Sequence, residues 1–222
     1  MVKDGIYYAL GFTAAGALVG YVAGTWFGLP LFLVAAFCAY FFRDPDRQTP
    51  AGDFAVSPAD GKVIAVVKES AQEMRVTIFL NVFDVHVNRT PISGVISNIA
   101  YQKGLFLVAS RPDASERNEQ NVITVQGEGT RVVFKQISGL IARRIVCYKR
   151  VGDVVQAGER IGLIKFGSRC DVIFGPEWTV DAKVGARVVA GETILARRGD
   201  LSQTVLVGHA PLEVEEGLLC QT

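Results

Sequence analysis

Ser168 directly follows Gly167 inside an otherwise apolar stretch of residues 161–176. A hydroxyl group beside a glycine can attack the carbonyl of that glycine, because glycine lacks the Cβ that would crowd the strained backbone this attack requires. The attack would replace the amide by an ester and make Ser168 the precursor of a cofactor. A Gly-Ser pair is also an ordinary turn sequence. Other residues must therefore support the chemistry.

Two further segments supply a candidate base and a candidate orienting group. His86, one of two histidines, lies in the stretch FDVHVNRTP, and Asp60 lies in SPADGKV. A neutral imidazole can take the hydroxyl proton while a carboxylate orients the ring and stabilises its charged form. The sequence therefore predicts that Asp60, His86 and Ser168 converge. Asp84 is the competing carboxylate, since on a strand it would share a face with His86.

These segments occur in a characteristic order with FFRDPDR, SERNEQN and FGSRCDVIFGP. From about Phe41 to Pro176 the chain resembles the phosphatidylserine decarboxylase proenzymes, especially their short form. The resemblance implies self-cleavage between Gly167 and Ser168. The products would be a β chain of residues 1–167 and an α chain of residues 168–222 that begins with a pyruvoyl group made from Ser168.

The same resemblance implies the reaction and its participants. The pyruvoyl ketone would form a Schiff base with phosphatidylserine and draw off electrons as CO₂ leaves, which gives phosphatidylethanolamine without an added cofactor. The implied catalytic residues are Ser168, His86 and Asp60. Longer family members carry a second histidine where this chain has Arg89, so a division of labour between two histidines is not carried over. The implied partners are a serine phospholipid, the membrane and the two cleavage fragments, and a homodimer is plausible from the family.

Three alternatives remain open from the sequence. The substrate could be the ether lipid archaetidylserine, whose head group is identical. A membrane-anchored serine hydrolase would use the same three residues with water as the acceptor. A carrier or binding module is suggested by the pattern V-G-x-x-V-x-A-G-E-x-I, which occurs at 151–161 and again at 184–194. A carrier needs a lysine at a hairpin tip, whereas Lys165 lies in an apolar run.

Composition excludes several other classes. The 222 residues include 23 Lys plus Arg and 22 Asp plus Glu, for a net charge of +1, so nothing indicates nucleic acid as a partner. The cysteines lack the spacing of a metal site or a disulfide framework, which predicts no metal and reduced thiols facing the cytoplasm. These four cysteines are Cys38, Cys147, Cys170 and Cys220.

The N-terminal region predicts a membrane-associated segment. Residues 5–42 contain no charged side chain, and such a run exceeds what one span needs. The sequence Gly28-Leu29-Pro30 predicts a break, so a helical hairpin is favoured over one span followed by an interfacial helix. Basic residues at both ends of the run place the catalytic domain on the cytoplasmic side of the cell membrane. We expect residues 1–47 to be this segment and residues 48–222 to be the decarboxylase domain.

Beyond residue 47 the sequence predicts a mainly β domain. Short runs rich in Val and Ile alternate with Gly, Pro, Asn and Asp. A hairpin turn is predicted at 126–130 and a loop or helical insert at 111–120. The repeated pattern resembles the strand-turn-strand of lipoyl and biotinyl domains and implies a pseudo-symmetric β-sandwich or barrel. The predicted strands are 62–68, 75–81, 95–102, 121–125 and 131–136.

Overall fold

The computed structural model describes residues 1–111, 113–139, 144–165 and 168–199, and the protein is mainly β. The helices are α1 (Lys3–Ala23), α2 (Thr25–Phe41) and α3 (Ala114–Arg117). The strands are β1 (Phe54–Val56), β2 (Gly61–Lys68), β3 (Met74–Leu80), β4 (Val87–Arg89), β5 (Gly94–Gln102), β6 (Gln120–Gly127), β7 (Thr130–Ser138), β8 (Ile145–Cys147), β9 (Val154–Val155), β10 (Arg160–Ile164), β11 (Ser168–Phe174), β12 (Trp178–Val180), β13 (Arg187–Val188) and β14 (Ile194–Arg198).

The N-terminal apolar region forms the predicted helical hairpin. The amide of Val2 donates to the carbonyl of Phe42 at 3.0 Å, so the two ends of the hairpin meet. A Cβ added at Gly28 would lie 2.4 Å from the carbonyl oxygen of Gly16, which shows that these glycines allow the helices to approach closely. Within the described residues, α1 is the helix that is long and apolar enough to cross a membrane. Insertion of the hairpin stays a prediction.

The predicted position of the helix break is wrong. The chain turns at Gly24, whose φ of +106° is readily available only to glycine. Pro30 lies inside α2 instead. Proline lacks the amide that would have bonded to the carbonyl of Trp26. The missing hydrogen bond therefore lies in the N-terminal part of α2, and the rest of the helix is unaffected. Gly28 serves helix packing rather than the turn.

The strands form an antiparallel architecture of one large and two small sheets. The eight-stranded sheet has the order β13-β2-β3-β11-β7-β6-β5-β9, and the small sheets have the orders β4-β10-β8 and β1-β14-β12. A continuous apolar core lies against the large sheet and includes Ile78, Phe134, Val172 and Leu195, all fully buried. The five predicted strands correspond to β2, β3, β5, β6 and β7, and the predicted turn at 126–130 joins β6 to β7.

The two copies of the repeated pattern adopt the same local conformation. Gly152 and Gly185 have φ values of +94° and +92°, and Gly158 and Gly191 have values of +77° and +75°. The first copy contributes β9, which pairs with β5, and the second contributes β13, which pairs with β2. The repeat thus forms two equivalent edges of the large sheet. Its likeness to lipoyl and biotinyl domains stays a prediction.

The repeat extends to the loops before β2 and β5, which share the pattern S/T-P-x-x-G at the same offset of 33 residues. In one loop Asp60 Oδ1 accepts the amide of Ala190 at 2.8 Å, and in the other Ser93 Oγ accepts the amide of Ala157 at 2.9 Å. Asp60 and Ser93 therefore occupy equivalent positions. The charge of Asp60 is the feature that distinguishes them.

The predicted cleavage point lies in the connection between two sheets. β10 belongs to the small sheet with β4 and β8, whereas β11 is central in the large sheet between β3 and β7. Phe166 and Gly167 of this connection lie outside the described residues. A cut before Ser168 would separate β10 from β11 while leaving both neighbours of β11 in place.

Candidate active site

Ser168 begins β11 and is fully buried. It lies opposite Leu80 on β3 and Ser138 on β7. Its Oγ has no hydrogen-bond partner among the described residues. A buried polar group without a partner costs about 1–3 kcal/mol, and such groups are uncommon in native proteins. An unpaired hydroxyl is what a reacting serine requires, and the catalytic role of Ser168 stays a prediction.

His86 immediately precedes β4, and its ring is held by the backbone of the same segment. Nδ1 lies 2.9 Å from the carbonyl oxygen of Asp84. Because a carbonyl can only accept, Nδ1 carries the hydrogen and Nε2 of the neutral ring carries the lone pair. Nε2 is buried and has no hydrogen-bond partner in the described part of the chain. This is the tautomer that a general base requires.

The surroundings of His86 favour the neutral ring. Burial lowers its pKa from 6.5 to about 4; the charge of Arg43 lowers it further, while the hydrogen bond to the Asp84 backbone and the Asp84 charge oppose the shift. The ring of Phe41 packs against the imidazole with a centroid separation of 4.3 Å. His86 is therefore neutral at physiological pH and able to accept a proton.

The backbone links His86 to the segment that leads to Ser168. The His86 carbonyl accepts the amide of Ile164 at 3.3 Å, and the adjacent Val87 pairs with Leu163 of β10. Ile164 is four residues before Ser168. Gly167, whose carbonyl is the predicted point of attack, lies outside the described residues.

Asp60 is engaged away from the imidazole. Both of its carboxylate oxygens accept from Arg47 Nη2, at 3.1 and 2.9 Å, and Oδ1 also accepts the amide of Ala190. Among the described residues it forms no hydrogen bond to His86, whose ring is oriented by the carbonyl of Asp84. The catalytic role of Asp60 stays a prediction.

Asp84, the competing carboxylate, holds the turn that carries His86. Its Oδ2 accepts the amide of Asn81 at 2.8 Å, and its Oδ1 accepts Arg187 Nη2 at 2.5 Å. Asp84 is 4% exposed, so this pairing compensates a buried charge. Arg187 lies beyond the predicted cut, so this ion pair would join the two fragments.

Among the remaining candidates, Cys170 lies in surroundings that indicate a packing role rather than a chemical one. Cys170 is fully buried, and burial, followed by the charge of Asp171, raises its thiol pKa well above the usual range, so it stays protonated and packs as an apolar residue. No cluster that could hold a metal ion is found among the described residues. His209 and Cys220 lie outside them.

The three arginines of the FFRDPDR and FDVHVNRTP segments bind acceptors within the fold. Arg43 Nη2 donates to the carbonyl of Phe83 at 2.7 Å, and Arg47 pairs with Asp60. Arg89 is buried and donates to the carbonyls of Gly158 at 2.9 Å and Pro45 at 3.0 Å. The FFRDPDR segment thus fastens the helical hairpin to the β domain.

A family model described as phosphatidylserine decarboxylase matches residues 34–196. The chain belongs to the phosphatidylserine decarboxylase family. The relatives named phosphatidylserine decarboxylase proenzyme include one from Solibacter usitatus (strain Ellin6076), which is 64% identical over 200 residues, covering 90% of this chain and 98% of the relative. Another from Syntrophus aciditrophicus (strain SB) is 43% identical over 204 residues, covering 88% and 96%. A third from Desulfotalea psychrophila (strain LSv54 / DSM 12343) is 40% identical over 206 residues, covering 89% and 96%.

In this phosphatidylserine decarboxylase family member, the matched region contains all three predicted catalytic residues. Sequence reasoning missed the Phe41 ring against His86, the Arg47 partner of Asp60 and the Arg187 partner of Asp84. No local motif signals these contacts, because each joins residues far apart in the chain. The equivalence of Asp60 with Ser93 could have been found in the sequence, since the 33-residue offset of the repeat also relates the loops that contain these two residues.

Proposed function

We propose that the protein is a self-processing phosphatidylserine decarboxylase that forms phosphatidylethanolamine and CO₂. The observation that carries this proposal is the buried, unpaired hydroxyl of Ser168 at the start of a central strand, in a chain of this family. The curated relatives carry the word proenzyme in their names, which supports activation by cleavage. Archaetidylserine is the alternative substrate with the same head-group chemistry.

Self-cleavage begins with proton transfer from Ser168 Oγ to His86 Nε2. Oγ attacks the carbonyl carbon of Gly167, the Gly167–Ser168 amide bond breaks, and its nitrogen takes up the proton, leaving an ester and a free amine. His86 is suited to this step because it is neutral and its lone pair is on Nε2. Slow proton transfer is sufficient, since each chain cuts itself once.

Elimination then completes the cut. Loss of the Cα proton of residue 168 and cleavage of the Cβ–O bond release Gly167 as a carboxylate and leave dehydroalanine. Tautomerisation and hydrolysis with one water release ammonia and leave a pyruvoyl group. The complete burial of Ser168 fits a small ketone. This group supplies an electrophilic carbonyl that binds the substrate amine and accepts electrons as CO₂ departs.

The hairpin of α1 and α2 supports a place for the domain at the membrane. Its outer surface carries large exposed apolar side chains, among them Trp26 (84% exposed) and Leu18 (64% exposed). An exposed apolar surface of this kind marks a membrane or protein contact. We assign residues 1–47 to anchoring at the cell membrane and residues 48–222 to catalysis on its cytoplasmic side.

The test is a denaturing intact-mass spectrum of the purified protein, with phosphatidylethanolamine production measured on the same sample. We expect fragments of residues 1–167 and 168–222, the smaller about 17 Da lighter than a simple hydrolysis product because serine has become pyruvoyl. They should co-elute without denaturant, because β11 and β13 of the small fragment pair with β3, β7 and β2 of the large one.

An active protein of a single intact mass would contradict the decarboxylase proposal. Labelling of that intact chain by a serine-directed probe would favour the hydrolase. A function that survives loss of the Ser168 hydroxyl would favour the carrier or binding module.

Asp60→Ser separates the carboxylate of Asp60 from its contact with the Ala190 amide. Serine at the equivalent position 93 accepts the corresponding amide, so the variant should keep this hydrogen bond while losing both the negative charge and the ion pair with Arg47. If the carboxylate stabilises the protonated base, self-cleavage should slow by about 10²-fold or more. The fraction of cut chain against time measures this. Ser93→Asp is the control and should cut normally, whereas wild-type cleavage by Asp60→Ser would make Asp60 purely structural.

A further inference from the structure

A cavity of about 610 Å³ lies where the first turns of α1 meet the small sheet β4-β10-β8. This volume is typical of small-molecule sites. The helix contributes Lys3, Asp4 and Tyr8 to its lining, and the β domain contributes Arg144, Arg160 and Lys165. The cavity thus joins the hairpin to the segment that precedes the predicted cut.

The described part of the lining carries an excess of positive charge. Its basic side chains are those of Lys3, Arg144, Arg160 and Lys165, and its acidic side chains are those of Asp4 and Asp44. Arg160 Nε donates to both oxygens of Asp44, at 2.9 and 2.7 Å, and Lys165 Nζ lies 3.1 Å from Asp4 Oδ2. Lys3 and Arg144 have no acidic partner among the described residues. Two cations are therefore available to an anion.

The cavity adjoins both the segment before the predicted cut and the apolar hairpin. Lys165 lies three residues before Ser168, and Val87 of the lining follows His86 directly. Val2 and Tyr8 of the lining belong to the hairpin, and Lys165 Nζ lies 5.5 Å from the centre of the Tyr8 ring. In a serine phospholipid the phosphodiester lies between the apolar tails and the reacting serine.

We propose that this cavity binds the phosphodiester of the serine phospholipid, with Arg144 and Lys3 as its cationic contacts. The proposal rests on the proposed function and adds the subsite that holds the substrate. Arginine suits the site because its planar guanidinium can donate two parallel hydrogen bonds to phosphate oxygens. The three arginines of the FFRDPDR and FDVHVNRTP segments bind within the fold and do not compete for this role.

The test measures binding without turnover. The full-length Ser168→Ala chain in detergent is titrated by calorimetry with the water-soluble lipids dihexanoyl phosphatidylserine and dihexanoyl phosphatidylethanolamine. Adding Arg144→Gln should weaken the affinity for both lipids by about 10-fold or more, the value of a charge-assisted hydrogen bond. Lys3→Gln should also weaken the affinity for both lipids. Arg150→Gln is the matched control, since Arg150 is exposed and does not line the cavity.

Equal affinities for the Arg144→Gln, Lys3→Gln and control chains would overturn the proposal. The proposal would also be overturned if the two variants weakened the binding of phosphatidylserine but not that of phosphatidylethanolamine. The site would then recognise the carboxylate that phosphatidylethanolamine lacks. Arg144→Gln with Ser168 intact should still cut itself completely. Failure of the wild-type chain to cut would refute the proposed function and leave the binding result standing, so the two failures are distinguishable.

Discussion

Ser168→Ala is expected to remain a single uncut chain with no phosphatidylethanolamine production. Alanine has no hydroxyl to attack Gly167 and cannot become a pyruvoyl group. Activity should fall by at least about 10⁶-fold, the lower end of the acceleration that enzymes provide. Intact mass and lipid product are measured on the same preparation.

The fold of the uncut variant should be preserved. Ser168 Oγ has no described partner, so its removal takes away an unsatisfied group and should leave the free energy of unfolding unchanged or raised by about 1 kcal/mol. Ser138→Ala is the matched control. Ser138 lies directly opposite on β7, is equally buried, and donates to the carbonyl of Glu119 at 3.0 Å. It should lose about 1 kcal/mol of stability yet cut normally. Cleavage of Ser168→Ala between residues 167 and 168 would refute the mechanism.

His86→Gln is expected to slow self-cleavage by about 10²- to 10⁴-fold, the usual contribution of a general base. The measurement uses uncut chain made by cell-free synthesis in detergent and followed by mass spectrometry. In the wild type the rate should rise as the pH is raised through about 4 and be level near neutrality, because burial lowers the pKa of His86 to about 4. A rate that instead rises through pH 6.5 would place His86 in solvent or assign the base to another group.

The same pKa makes stability depend on pH. Above pH 6.5 the His86 ring is neutral in both the folded and the unfolded chain. Between pH 6.5 and about 4 only the unfolded chain binds the proton, so the free energy of unfolding falls as the pH falls. The loss from this residue reaches about 3 kcal/mol near pH 4 and is constant below it.

Urea unfolding of Ser168→Ala with and without His86→Gln isolates this contribution, since the acidic residues are common to both chains. The pH-dependent difference between the two should disappear above pH 6.5. Parallel stability curves from pH 4 to 7 would show that His86 is not buried as the structure places it.

The sequence by itself indicated the candidate chemistry and located five strands of the large sheet. The alternation of β-forming residues with Gly, Pro and Asn located β2, β3, β5, β6 and β7, because strand formation in these runs agrees with local preference. The residue types of Ser168 and His86 indicated a nucleophile and a base. The length of the uncharged N-terminal run indicated the hairpin, although its turn falls at Gly24 rather than at 28–30.

Only the tertiary structure decided which groups are unpaired and which are already bonded. Burial by distant strands makes Ser168 Oγ and His86 Nε2 unsatisfied and lowers the pKa of His86, and neither effect is a property of neighbouring residues. Asp60 is paired with Arg47 because the FFRDPDR segment, which begins at the end of α2, packs against the β domain. No helical or strand period in the sequence relates these two positions. The two unpaired cations of the cavity, Lys3 and Arg144, are 141 residues apart in the chain. The sequence gives the type of each side chain, whereas its solvent exposure and its hydrogen-bond and ion-pair partners depend on the whole fold.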